Sequence, residues 1–391
     1  MTDKSMTILY IPYSLIRVRL HLKKISLLCS LRYFLHINVS SKSLQLFLSN
    51  LKMPSNTAAW LTAKGVPLEV KSSPYTSPGE NEIVVKNGAV AINIVDWSLQ
   101  DMGETLFPWL TYPHVLGADV AGEVVEVGSA VSRFQIGDRV IGHAIGNRTS
   151  KSPNGAFQMY TVVLAHMASP IPSSLTYESA AVLPLAVSTA ACGLFQKDHL
   201  ALQYPSISHR PAGKALLIWG GSSSVGSNAI QLAVAAGYEV ITTASPKNFD
   251  YVKKLGASQA FDYHSNTIVD DLIDAFKGKT IAGALAVTRG SGEACVEVVD
   301  KSIGDKFVSM AMPVPDNLPS GVGTKFIFAS DIKDSEVSKA VYVDFLPKAL
   351  AGGKYIVAPD PQIAGKGLQC IQTGLEILKK GVSAKKVVVS L

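Results

Sequence analysis

A glycine-rich turn between an apolar run and an amphipathic segment constrains this chain most. Residues 215–248 read ALLIWGGSSSVGSNAIQLAVAAGYEVITTASPKN. Ala215, Leu216, Leu217, Ile218 and Trp219 predict a strand buried on both faces. Gly220 and Gly221 predict a tight turn, followed by Ser222, Ser223 and Ser224. A helix is expected from Val225-Gly226, with apolar residues at Val225, Ala229, Ile230, Leu232, Ala233 and Ala236. Gly237 falls where a left-handed C-terminal cap belongs. Residues 238–243 form a second apolar run, the next strand.

Strand, glycine turn, helix and strand make a βαβ unit. Glycines let the backbone approach a pyrophosphate, and the N–H groups opening the helix bind its charge. The serine hydroxyls add donors. The spacing departs from G-x-G-x-x-G, and a tight turn with no ligand is the alternative. At the end of the second strand, NAD sites place an acid that accepts from the ribose hydroxyls, whereas NADP sites need donors for a phosphate. Here stand Ser245, Pro246, Lys247 and Asn248, with no acid among them. Lys247 attracts a 2′-phosphate, and Ser245 and Asn248 can donate to it, which favours NADP(H). The alternative for Lys247 is a solvated lysine in a helix's first turn.

The chain has 391 residues, 47% of them hydrophobic, enough for two domains with a sizeable core. Cys29, Cys192, Cys295 and Cys370 lie far apart and form no metal or disulfide spacing, which fits a reducing, cytoplasmic setting. The net charge of +6 is concentrated at one end: residues 1–52 hold eight Lys/Arg against one acid, and the rest holds 28 against 29. The body is near neutral and suggests no nucleic-acid surface. Residues 1–54 are expected to be disordered, or to be upstream sequence from a misassigned start. A mitochondrial transit peptide is the competing reading, and a signal peptide lacks its clean apolar core. No stretch reaches the roughly 18 uninterrupted apolar residues of a membrane span.

From Ala58 onward the chain is β-rich, with strands expected at 58–61, 68–71, 82–92, 115–127, 138–145 and 157–163. Residues 175–195 read as helical, interrupted by Pro184. After Asn248, helices (249–255, 268–276, 293–299) alternate with strands (259–263, 282–287, 306–311). Such alternation predicts an α/β chain with a doubly wound parallel sheet. The last part is expected to hold helices at 335–351 and 366–380 and strands at 354–357 and 385–390.

Three further motifs stand in order: Asn93-Ile94-Val95-Asp96-Trp97, then Pro113-His114-Val115-Leu116-Gly117-Ala118-Asp119-Val120-Ala121-Gly122, then Gly137-Asp138-Arg139-Val140. With the glycine turn downstream, they resemble the medium-chain dehydrogenase/reductase superfamily over residues 56–391. The chain is most similar to its zinc-less fungal ToxD-like group, which includes the trans-acting enoyl reductases of polyketide synthases. The tetrad at 245–248 is similar to that group's NADP phosphate motif. The resemblance implies a GroES-like catalytic domain (55–185, resumed at 335–391) around a Rossmann domain (186–334), with the site in the cleft.

Zinc-bearing relatives place a Cys before an Asp in the first motif and Gly-His-Glu in the second. Here those positions hold Asn93 and Gly117-Ala118-Asp119, and a methyl group ligates nothing. His114 is expected to pack near the turn and His143 at a strand end. No metal is expected, although a zinc-type domain label attaches by homology. Without a Lewis acid, hydride transfer to an already polarised double bond remains: an enone, an enoyl thioester or a quinone. The resemblance places Val95, Asp96, Trp97 and Ser98 beside the nicotinamide, with Asp96 in an orienting role. It places Thr189 on the substrate pocket, where a bond to a preceding helix carbonyl is the alternative. Tyr263 falls where the family touches the cofactor, and Met310, Ala311 and Val388 flank the ring. Some trans-acting enoyl reductases carry a lysine where Ser98 stands. Three readings result: a reductase of small electrophiles, an enoyl reductase partnering a polyketide synthase, or an NADPH-binding protein without turnover. Monomer and homodimer both remain open, and no membrane partner is implied.

Overall fold

The computed structural model describes residues 55–391, so the expectations for residues 1–54 lie outside the described residues. The run at 215–219 forms a fully buried strand, Ala215–Trp219, at the middle of a six-stranded sheet. Its neighbours on one side are Glu239–Ala244 and Gln259–Asp262. On the other are Ile281–Ala286, Phe307–Met310 and Gly323–Phe326. Every pairing is parallel. Strand order therefore reverses between Ala215–Trp219 and Ile281–Ala286, the point where open α/β sheets bind ligands. The amphipathic segment forms the helix Ser224–Ala235, and Gly237 follows it at φ +87°.

The flanking segments fold back into one seven-stranded sheet. Asp360–Lys366 and Lys385–Ser390 pair in parallel, and Lys385–Ser390 then lies against Glu82–Ala91. Asp119–Val127, Arg139–His143 and Ala168–Pro170 continue outward, and Tyr160–Leu164 pairs with Glu82–Ala91. Alternation gives this sheet two faces. Val85, Val90, Val120, Val124, Val387 and Val389 enter a core belonging to this half alone. Ala89, Ala91, Ala121, Ile141 and Val388 enter a core shared with the nucleotide half. The helix Pro184–Phe195 runs through that shared core, buried along most of its length. Pro184 starts it at a position where a missing N–H costs nothing, which divides the helical stretch expected at 175–195.

Two elements lie outside the expected pattern, and two expectations are corrected. Residues 94–102, which carry the first motif, form the helix Ile94–Met102. Residues 323–326 form a sixth nucleotide-sheet strand. Residues 354–357 are not a strand. Tyr355 Oη instead donates to Asn228 Oδ1 (2.7 Å) and the Ile356 N–H to Gln231 Oε1 (2.7 Å), fastening this segment to the nucleotide helix. The strand lies later, at Asp360–Lys366. Finally, the helix expected over 335–351 contains a π-helical turn, Lys339–Phe345, just before Pro347, which lacks the N–H that a regular helix would use.

Candidate active site

The glycine turn is built for its own packing as much as for a ligand. A Cβ on Gly226 would lie 2.2 Å from the Gly220 carbonyl oxygen, and one on Gly221 2.2 Å from Thr242 Oγ1. Gly220 itself sits at φ +90°. Ser223, expected as a free donor, is the helix N-cap: its hydroxyl donates to Gly220 O (2.8 Å) and accepts from Gly226 N–H (3.0 Å). The N–H groups of Ser224 and Val225 precede the helix's own hydrogen bonds and remain for an anion. Half-buried Ser222 and Ser224 flank them. Gly226→Ala is expected to destabilise the fold by about 1–3 kcal/mol through overpacking, read by urea denaturation, and to weaken dinucleotide binding in parallel.

The next strand delivers the tetrad to the same edge. Pro246 and Lys247 are exposed in a short 3₁₀ turn, Pro246–Asn248. Ser245 Oγ lies 3.1 Å from Tyr263 Oη, and the Tyr263 ring, 40% exposed, packs tilted against His264 with ring centroids 4.0 Å apart. Asn248 Nδ2 donates to Ser383 Oγ (3.3 Å), just before the final strand. Lys247 makes no ion pair among the described residues. The expected phosphate-side residues Ser245, Pro246, Lys247, Asn248 and Tyr263 are thus brought together. Free N–H groups at the switch point and this polar edge fit a nicotinamide dinucleotide.

On the catalytic side, several expected contacts are redirected. Because residues 94–102 are helical, Val95 and Trp97 pack toward the core of the catalytic half. Trp97 lies under Lys379 Nζ (5.4 Å) and lines an outer cavity of about 260 Å³ with Gln100, Gln372 and Leu375. The Ser98 hydroxyl donates to Ile94 O (2.9 Å) and that of Thr189 to Leu185 O (2.8 Å), both four residues back in their helices. Met310 shares a strand face with Val308 and is buried in the core on that side of the nucleotide sheet. Val388 is buried in the shared core, and Ala311 packs against it. The open first turn of the 94–102 helix carries Ile94, 61% exposed, an apolar surface that the sequence reading did not single out.

Asp96 belongs to a buried polar network. Its Oδ2 accepts from Asn93 N–H (2.7 Å), while Oδ1 has no partner. Burial, with some help from the charge of Asp119, pushes its pKa up to about 7. Asn93 Nδ2 donates to Asp119 Oδ2 (2.7 Å), and Leu185 N–H, in the first turn of the Pro184–Phe195 helix, donates to Asp119 Oδ1 (2.6 Å). Lys386 Nζ lies 3.0 Å from Asp119 Oδ2 and also donates to Asn93 Oδ1. Asp119 is 0% exposed and Lys386 4%. Lys386 and Val388 point to the shared face, so this ion pair lies on the cleft side of the sheet. Asp96→Asn keeps the bond from Asn93 and removes the charge. Wild-type Asp96 binds its proton more tightly folded than unfolded, so its contribution is present at low pH and lost as pH rises through about 7. The Asn variant is therefore expected to gain on wild type from about pH 4 to about pH 7, then hold a lead of about 1–3 kcal/mol. Urea midpoints across this range measure it.

These residues do not suit a metal ion. Ala118 offers no donor, and the Asp119 carboxylate already faces an ammonium group. Among the described residues, no group of three His, Cys, Asp or Glu side chains is placed to hold one. His143, opposite Asp119 on the neighbouring strand, bonds through Nδ1 to Ser188 Oγ (2.8 Å). Ser188 Oγ lies 2.8 Å from Tyr342 Oη. The sequence reading noted His143 only as a strand-end residue and missed Ser188, Tyr342 and Lys386.

Comparison with known proteins accords with this architecture. Residues 79–173 match the alcohol dehydrogenase GroES-like domain, and residues 224–315 the zinc-binding dehydrogenase family. The chain is similar to "Dehydrogenase orf1" of Aspergillus niger, 58% identical and covering 87% of this chain and 100% of that one. It is also similar to "Trans-enoyl reductase himH" of Aspergillus japonicus, 42% identical over 86% and 97%. The fold matches the crystal structure of Escherichia coli quinone oxidoreductase complexed with NADPH, at TM-score 0.65, 20% identity and coverage of 86% and 100%. Two domain families in this order, together with relatives alike along nearly their whole length, make the chain an oxidoreductase of the medium-chain dehydrogenase/reductase superfamily.

Proposed function

We propose that the protein is an NADPH-dependent reductase that passes hydride to an activated C=C bond or a quinone without a catalytic metal. The Asp119–Lys386 pair carries this reading. Where metal-bearing relatives hold zinc, this chain has a methyl group and a carboxylate neutralised by its own lysine. Alcohol oxidation then lacks its usual Lewis acid, while reduction of a conjugated acceptor needs none. Bound NADPH supplies the hydride. The N–H groups of Ser224 and Val225 hold the pyrophosphate, and Lys247, between Ser245 and Asn248, attracts the 2′-phosphate. Exposed Ile94 offers apolar surface to the cleft. The Asn93–Asp119–Lys386 network fixes the sheet beneath it.

Likeness to a trans-enoyl reductase along nearly the whole chain favours a second reading, reduction of an enoyl thioester on a polyketide synthase. Ser98 does not support it, since its hydroxyl is already bonded within the helix. NADPH oxidation by the purified full chain, with free enone, quinone and enoyl thioester in parallel, separates the readings. Turnover of free enone or quinone is expected. Turnover of the thioester alone would replace the first reading by the second. NADPH binding without turnover of any acceptor would leave a dinucleotide-binding protein.

A further inference from the structure

On the shared face of the catalytic sheet, a hydrogen-bond chain has only one consistent direction. Tyr342 Oη lies 2.6 Å from Pro184 O. A carbonyl only accepts and a phenol has one proton, so the Tyr342 proton is committed there. Ser188 must then donate to Tyr342 Oη, at 2.8 Å. With its only proton engaged, Ser188 Oγ accepts from His143 Nδ1, at 2.8 Å. His143 is 3% exposed, and burial holds its pKa down at about 4, so the ring is neutral. A neutral imidazole has one N–H, here on Nδ1, and Nε2 is left as a bare lone pair.

That lone pair has no hydrogen-bond partner among the described residues. His143 alternates with Ile141 onto the face shared with the nucleotide half, and Ser188 precedes Thr189 on the interdomain helix.

We propose that His143 is a specificity-determining residue whose unprotonated Nε2 accepts a hydrogen bond from a hydroxyl of the substrate, selecting acceptors that carry an O–H beside the reacting double bond. The identity of this ligand as substrate rests on the reductase reading; the direction of the chain does not. Ser188 and Tyr342 act as positioning residues that fix the tautomer. A site built to pair with a hydroxyl discriminates against the analogue lacking it, because its own polar atom is then left unpaired.

Two measurements test this. Long-range ¹H–¹⁵N correlation on the full chain with labelled histidine reads the tautomer without substrate or mutation. A protonated Nδ1 and a bare Nε2 are expected for His143, and a protonated Nε2 overturns the proposal. Paired enones with and without a neighbouring hydroxyl then read specificity. Wild type is expected to favour the hydroxylated member by about 10-fold or more in kcat/KM. His143→Leu should bring that ratio toward one, and His143→Gln, which keeps an acceptor oxygen, should restore part of it. A ratio unchanged in His143→Leu overturns the proposal. Because the tautomer is read on the free protein, it stands or falls separately from the assignment as a reductase.

Discussion

Replacing Lys386 with methionine is expected to destabilise the folded chain by about 3–5 kcal/mol, the cost of leaving a buried carboxylate without its charge partner. Asp119 is fully buried and keeps only the Leu185 N–H and Asn93 Nδ2 once the ammonium is gone. Asn93 Oδ1 loses its donor in the same step. Adding Asp119→Asn removes the charge and keeps an oxygen for the Leu185 N–H. The double variant is therefore expected to recover more than half of the loss. Urea unfolding of wild type, single and double variants measures this. A double variant no more stable than the single would mean that packing, and not charge pairing, governs the site.

Lys247→Glu is expected to weaken NADPH binding by about 10- to 150-fold while changing NADH binding little. The lower figure corresponds to losing one charge-assisted contact of about 1.5 kcal/mol and the upper to about 3 kcal/mol. Glutamate adds repulsion against the 2′-phosphate and is the kind of residue that accepts from the free ribose hydroxyl in NAD sites. Lys247 is exposed and pairs with no carboxylate among the described residues, so its replacement should leave stability within about 0.5 kcal/mol of wild type. Titration of each dinucleotide against protein fluorescence gives the two affinities. An unchanged NADPH-to-NADH ratio would remove Lys247 from the phosphate site.

Local pattern made part of this architecture legible. The buried strand, glycine turn and amphipathic helix at 215–235 have distinct periods, and the alternation beyond them dictates a parallel sheet. The tetrad at 245–248 was legible because strand ends in such sheets have fixed positions. Side-chain direction was not. Ser98 and Thr189 look like free hydroxyls until their helices supply a carbonyl four residues back. Trp97 turned away because residues 94–102 wind into a helix that continues the first motif. The polar groups of the cleft were hidden by distance along the chain. Lys386 reaches Asn93 across 293 residues and Ser188 reaches Tyr342 across 154, separations with no periodic signature. Asp360–Lys366 carries Pro361 and Gly365, which read as loop, yet it lies at the sheet edge, where a missing donor is tolerated.

Metal-independent hydride transfer is tested most directly by single-turnover reduction of an enone with NADPH deuterated on the transferring face, using full-length protein dialysed against chelator. Deuterium at the β-carbon of the product is expected, at a rate unchanged by added zinc. A rate that disappears on chelation and returns with zinc, or a product without deuterium, would contradict a site in which Lys386 occupies the place of the metal's charge.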